Sequence, residues 1–205
     1  MINKELLIIR HARSEHNARI TGFLDSSLTE FGRHQAKTVG KFLSDQKELQ
    51  GWSIYTSPFK RCIETTQEIL ENYKTDSNYI TIDARLGECL LDINSSILVD
   101  MPESTLYRGL VWYGNIDLLS KVNYSKKLFK HENHQDYLQR MREAYDSIPN
   151  KSIIITHGLN VEVLRQECLH TLNHVPLWNY GIDNCSMTWI KNGRTIWWGR
   201  NLHYE

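Results

Sequence analysis

Two aliphatic runs, each ending at a histidine, constrain this chain more than any other feature. Leu6-Leu7-Ile8-Ile9 gives way to Arg10-His11, and Ser152-Ile153-Ile154-Ile155-Thr156 gives way to His157-Gly158. A short apolar run bounded by polar residues reads as a strand buried on both faces. Such strands belong to sheets covered by helices, and open sheets of that kind bind ligands beyond the carboxyl ends of their strands. Arg10, His11 and His157 occupy that place. Position separates them from Arg33-His34, which repeats the dipeptide inside a segment of helical spacing.

Between the two runs the chain alternates. Phe31, Ala36, Val39, Phe42 and Leu43 recur at helical spacing behind Thr29, a candidate N-cap. Trp52 to Thr56 reads as a short strand, and Ser57-Pro58 as a cap followed by proline at the first helical position, predicting a helix over 58–72. Arg61 falls in its first turn and, because helical side chains lean toward the N-terminus, reaches back over the same edge as Arg10 and His11. A cation there opposes the helix dipole, which points to an anion as its partner. A strand over 79–82 leads to Leu86-Gly87-Glu88.

From 89 to 130 the periodicity blurs, and this stretch reads as an insertion over the sheet's carboxyl edge. Tyr137, Met141, Ala144 and Ile148 form a core stripe on a helix over 132–148, and a further helix is predicted over 158–169. Asn192-Gly193 between two alternating runs is a hairpin signal. The expected fold is a single α/β domain over 1–205. It is a three-layer α/β/α sandwich with a mainly parallel central sheet and an antiparallel edge strand or C-terminal hairpin.

The 205 residues carry 24 Lys plus Arg and 24 Asp plus Glu, a neutral balance that gives no global attraction to nucleic acid or an anionic membrane. Four apolar residues near the start are too few for a signal core or a membrane span, so a cytoplasmic protein is expected. Cys62, Cys89, Cys168 and Cys185 are widely separated, without the paired spacing of a zinc or dithiol site. An exposed hairpin edge makes a homodimer the assembly to consider.

If the strands are neighbours, Arg10, His11, Arg61, Glu88 and His157 converge. Guanidinium forks match phosphate oxygens, and histidines can donate to phosphate or attack phosphorus. One histidine would attack while the other and the arginines hold the equatorial oxygens, with Glu88 protonating the leaving alcohol. Two blander readings stand beside this. Glu88 could simply pair with Arg85 or a nearby lysine, and His11, His157 and Glu88 could form a two-histidine, one-carboxylate metal site, which two adjacent arginines disfavour.

Arg10-His11-Ala12-Arg13-Ser14-Glu15-His16-Asn17, with Gly22, Asp25, Leu28-Thr29, Gly32 and Gln35-Ala36, resembles the opening of the histidine phosphatase superfamily, the phosphoglycerate-mutase-like proteins. Ser57-Pro58 with Arg61 and Thr65 resembles its second arginine block, and Leu86-Gly87-Glu88 stands where its acid is expected. Glu132 with Arg140, Thr156-His157-Gly158 and Asn184-Cys185-Ser186 resemble its later motifs. Six ordered motifs are far more specific than one.

The resemblance implies that His11 becomes phosphohistidine, that Arg10, Arg61 and His157 bind the phosphoryl group, and that Glu88 donates the proton. Asn17 is implied as a pocket residue, and neither metal nor organic cofactor is implied. Ala12 replaces the usual glycine after the histidine, still leaving a backbone N–H for a phosphate oxygen, and Arg13 adds charge near the mouth. Arg13, Trp112 and Tyr113 are candidate substrate contacts. Cys89-Leu90-Leu91 stands where the mutase branch places an arginine and a tyrosine.

The expected activity is hydrolysis of a small phosphomonoester, with no membrane or nucleic-acid partner. A phosphoglycerate-type mutase and a catalytically silent phosphate-binding or interaction module are the alternatives.

Overall fold

The computed structural model describes residues 4–23, 25–73, 80–88, 134–171 and 182–203, together with the backbone of 116–117. The elements are β1 (Leu6–Arg10), α1 (Glu30–Asp45), β2 (Ser53–Thr56), α2 (Lys60–Leu70), β3 (Ile80–Ile82), β4 (Ile116–Asp117), α3 (His134–Ser147), β5 (Ser152–Thr156), α4 (Gly158–Leu169), β6 (Met187–Lys191) and β7 (Arg194–Arg200). Strand order across the sheet is β4-β3-β2-β5-β1-β6-β7. The first five in that order run parallel, and β6 and β7 close the sheet as an antiparallel hairpin.

The aliphatic runs are buried on both faces because successive side chains point to opposite layers. Leu7, Ile9, Ile54, Ile153 and Ile155 pack with Ala36, Val39 and Leu43 of α1 and Cys62, Ile63 and Ile69 of α2. Leu6, Ile8, Tyr55 and Ile154 pack with Tyr137, Met141 and Ala144 of α3 and Val161, Leu164 and Cys168 of α4. Each fully buried aliphatic side chain contributes about 2 kcal/mol, which confines polar residues to the ends of these strands. The expected three-layer sandwich is thus present.

β5 lies between β1 and β2, although the chain reaches it last of the three. Arg10 pairs with Thr156 and Thr56 with Ile155, so the three carboxyl ends are level. This insertion places His157 between His11 and the start of α2.

Local signals held at several points. The Thr29 hydroxyl accepts from Gly32 N–H at 3.0 Å, and Asn192 and Gly193 have φ of 53° and 68°, as a type I′ hairpin turn requires. A Cβ at Gly32 would collide with the Arg13 carbonyl, so this glycine lets α1 press against the loop that follows His11.

Two local readings need correction. Helix α2 begins at Lys60 rather than Pro58, and its first N–H is taken at 2.6 Å by Asp25 from a distant loop. Ser57 is therefore no helix cap. Phe31, counted with the apolar stripe of α1, is 51% exposed; buried Gly32 and Gln35 face inward there instead. The insertion expected over 89–130 lies outside the described residues except for β4, which pairs with β3 and makes that part of the segment a strand of the sheet. No helix among the described residues is long and apolar enough to cross a membrane.

Candidate active site

The backbone of His11 is pinned before its side chain does anything. Its N–H donates to Thr156 O at 2.8 Å, and its carbonyl accepts from Cys185 N–H at 3.1 Å and from Asn184 Nδ2 at 3.0 Å. The imidazole is then fixed by a neighbour. Nδ1 lies 2.8 Å from Ala12 O, and a carbonyl only accepts, so Nδ1 carries the proton. Nε2 keeps its lone pair, which accepts from Arg61 Nε at 3.1 Å. Burial first, then the Arg61 guanidinium and the His157 ring, lower the His11 pKa well below its usual value. The result is a neutral ring with a nucleophilic nitrogen facing the pocket.

His157 is held by long-range partners. Its Nε2 lies 2.8 Å from Ser57 Oγ, and its Nδ1 lies 3.0 Å from Glu88 Oε2. A carboxylate brings no proton, so Nδ1–H donates to Glu88 and the Ser57 hydroxyl donates to Nε2. The Ser57 oxygen in turn accepts from Phe59 N–H at 3.3 Å. Burial lowers the His157 pKa to about 4 against the pull of Glu88. The ring meets Phe59 edge-to-face at 5.0 Å between centroids, and the Arg61 guanidinium lies over the Phe59 ring at 4.6 Å from its centroid.

Glu88 lies at the far side of the pocket. Arg61 Nη2 donates to its Oε2 at 2.6 Å. Burial alone would raise this carboxyl; the His157 ring and the Arg61 guanidinium outweigh it and hold the group well below the usual carboxylate range. Its side chain is 25% exposed whereas Arg61 is 2% exposed, so Glu88 is the member that meets solvent. Arg10 donates through Nη1 to Ile182 O, while its buried Nε has no hydrogen-bond partner among the described residues. An unpaired buried N–H beside a cationic cluster is a donor awaiting an acceptor.

Donor atoms of His11, Glu88 and His157 all lie within 4.8 Å of one another, a spacing a metal ion tolerates. Arg61 already stands among them, with Nε on His11 and Nη2 on Glu88. The donors converge as they would around an anion, and the Glu88 carboxylate fills that role here.

The model of the histidine phosphatase superfamily, branch 1, matches residues 6–200. The chain belongs to the histidine phosphatase superfamily. This superfamily member is 27% identical over 205 residues to "Probable phosphoglycerate mutase GpmB" of Serratia proteamaculans, covering 94% of this chain and 87% of the relative. It is 27% identical over 202 residues to "Putative phosphoserine phosphatase 2" of Hydrogenobacter thermophilus, covering 91% and 89%. Its fold is similar to the crystal structure of the ecdysone phosphate phosphatase from Bombix mori in complex with tungstate, with TM-score 0.64, 17% identity and coverage of 96% and 93%. Membership and relatives support an enzyme acting on phosphate esters.

Of the residues predicted for this histidine phosphatase superfamily site, Arg10, His11, Arg61, Glu88 and His157 come together. Arg13 and Asn17 are exposed; Asn17 Oδ1 accepts from Asn184 Nδ2 at 3.1 Å, which links it to the His11 carbonyl rather than to the pocket donors. Trp112 and Tyr113 lie outside the described residues. The Ala12 N–H, expected to remain for a phosphate oxygen, donates to Thr65 Oγ1 at 2.9 Å. Arg85 pairs with Asp83 at 2.7 Å, which leaves Glu88 to the pocket. Two participants escaped the sequence reading as site residues. Ser57 enters the sequence reading as a helix cap and as part of the second arginine block, with no tie to His157, and Asn160 is a buried amide between apolar neighbours in its helix, which is the available signal.

Proposed function

We propose that this protein hydrolyses a small phosphomonoester in two steps through a phosphohistidine at His11. What supports the reading most is the lone pair of His11 Nε2, facing donors from Arg61 that also reach the Glu88 carboxylate. A phosphoryl group would displace that carboxylate and take the donors of Arg10, Arg61 and His157 on its equatorial oxygens. Nε2 then attacks phosphorus as the ester P–O bond breaks, and Glu88 gives its proton to the departing alkoxide. The ring becomes cationic, and its Nδ1–H on Ala12 O stabilises it. In the second step water attacks phosphorus, Glu88 takes its proton, and the P–N bond breaks to restore His11.

Glu88 must carry a proton to act as acid. Losing its Arg61 and His157 bonds and gaining a neighbouring phosphate dianion both raise its pKa, so protonation accompanies substrate binding. The relatives' names divide between mutase and phosphatase. The chain's own Cys89-Leu90-Leu91 after Glu88 favours water as acceptor, because it offers no cation there for a sugar-acid carboxylate.

The test is p-nitrophenyl phosphate hydrolysis without added metal by wild type and His11→Ala, with an alkaline detergent quench to look for a base-stable phosphoenzyme that later acid treatment releases. Turnover and phosphoenzyme in wild type, both lost in the variant, are the expected result. A wild type inert to monoesters that passes phosphate from bisphosphoglycerate to monophosphoglycerate is a mutase. Binding of vanadate with neither reaction would leave a binding module.

A further inference from the structure

The segment carrying Glu88 is held from behind by a buried polar cluster that phosphate binding does not need. Asn160 lies in the first turn of α4 and is fully buried. Its Nδ2 is 2.9 Å from Leu86 O, from Gly87 O and from Thr156 Oγ1. Its Oδ1 accepts from the Tyr137 hydroxyl of α3 at 2.9 Å, which fixes the orientation of the amide. Thr156 Oγ1 donates to Leu86 O at 2.8 Å, and Arg140 of α3 donates to Arg85 O and, at 3.2 Å, to Gly87 O.

A buried amide left unpaired is destabilising, so an apolar residue would serve α4 packing as well at less risk. Here the two N–H groups are shared among three acceptors, two of which are carbonyls of the loop before Glu88. The Gly87 carbonyl and the Glu88 N–H share one planar peptide group. Fixing that oxygen therefore fixes the plane from which the Glu88 side chain departs, and it does so from the same helix that His157 precedes.

We infer that Asn160, oriented by Tyr137, is a positioning residue for the Glu88 carboxyl, an inference that rests on the phosphatase reading above. It matters only when the leaving group needs a proton. Alkoxides need one, whereas p-nitrophenolate leaves without it.

The experiment compares kcat/KM on propyl phosphate and p-nitrophenyl phosphate for wild type, Asn160→Ala and Tyr137→Phe. Tyr137→Phe removes a single oxygen and keeps the measurement informative if Asn160→Ala folds poorly in a urea titration. Asn160→Ala should lose roughly 30-fold more on the alkyl than on the aryl ester, and Tyr137→Phe roughly 3-fold more. In a Glu88→Gln background the selective loss should vanish, because the group being positioned is gone. Equal losses on both esters, or no loss, overturn the inference. A wild type that cleaves neither ester would sink the phosphatase reading instead. Hydrogen exchange of the Leu86 and Gly87 amides, which donate to Asp83 O and Ala84 O at 3.0 Å, then decides the positioning role. Faster exchange in Asn160→Ala supports it, and unchanged exchange overturns it.

Discussion

His11 and His157 end neighbouring parallel strands in matching register, yet they are held in opposite ways. His11 takes its orienting bond from the carbonyl of the next residue, Ala12. His157 takes its bonds from Ser57, a hundred residues earlier, and from Glu88. The local bond leaves His11 Nε2 with a lone pair for attack. The long-range bonds leave His157 with an N–H for donation. Equivalent slots in a parallel sheet thus acquire different chemistry from what stands on the far side of each ring.

Breaking the comparison should cost most at His11. His11→Ala is expected to lower turnover by about ten-thousand-fold or more and abolish the phosphoenzyme. His157→Ala should cost roughly a hundred- to thousand-fold while still forming phosphoenzyme slowly, as loss of a transition-state donor does. Trapping of both variants with an alkaline detergent quench checks the ranking; a phosphoenzyme in His11→Ala would reverse the assignment of roles.

The buried state of His157 predicts a stability effect. Its folded pKa of about 4 lies below the usual 6.5, so between those values the unfolded chain binds more protons. Stability contributed by the neutral ring is intact above pH 6.5 and lost as pH falls toward 4, by about 3 kcal/mol. Glu88, also depressed, acts in the same direction at lower pH. Urea midpoints measured from pH 7 to pH 4 should fall in wild type and fall less in His157→Asn. Equal slopes would place the acid sensitivity elsewhere.

The smallest effect sharpens the comparison most. Ser57→Ala removes only the hydroxyl donating to His157 Nε2, and turnover should drop roughly tenfold with the acidic limb of the kcat/KM profile displaced. An unchanged profile would mean that Glu88 alone orients the ring.

Much of the fold was legible because its signals are local. The aliphatic runs, the Thr29 cap, the Tyr137–Met141–Ala144 stripe and the Asn192-Gly193 turn each depend on residues within a turn or two of one another. The same locality misled at Ser57-Pro58. A serine before a helix usually caps it, but this hydroxyl is committed to His157, and Asp25 from another loop caps α2 instead. Phe31 kept the helical period yet faces outward, because Gly32 is what the Arg13 backbone admits. Asn160 was passed over since nothing within its own helix shows that the loop before Glu88 packs there.

By itself the sequence determined which segments become strands and helices and which residue types gather at strand ends. Backbone preference and hydrophobic period are set by near neighbours, so they survive reading one residue at a time. Only the tertiary structure decided that β5 inserts between β1 and β2, that Arg61 lies among two histidines and a carboxylate, and what partner meets the far nitrogen of each ring. Those outcomes depend on partners a hundred residues apart or more, whose meeting is fixed by how both faces of one sheet are covered.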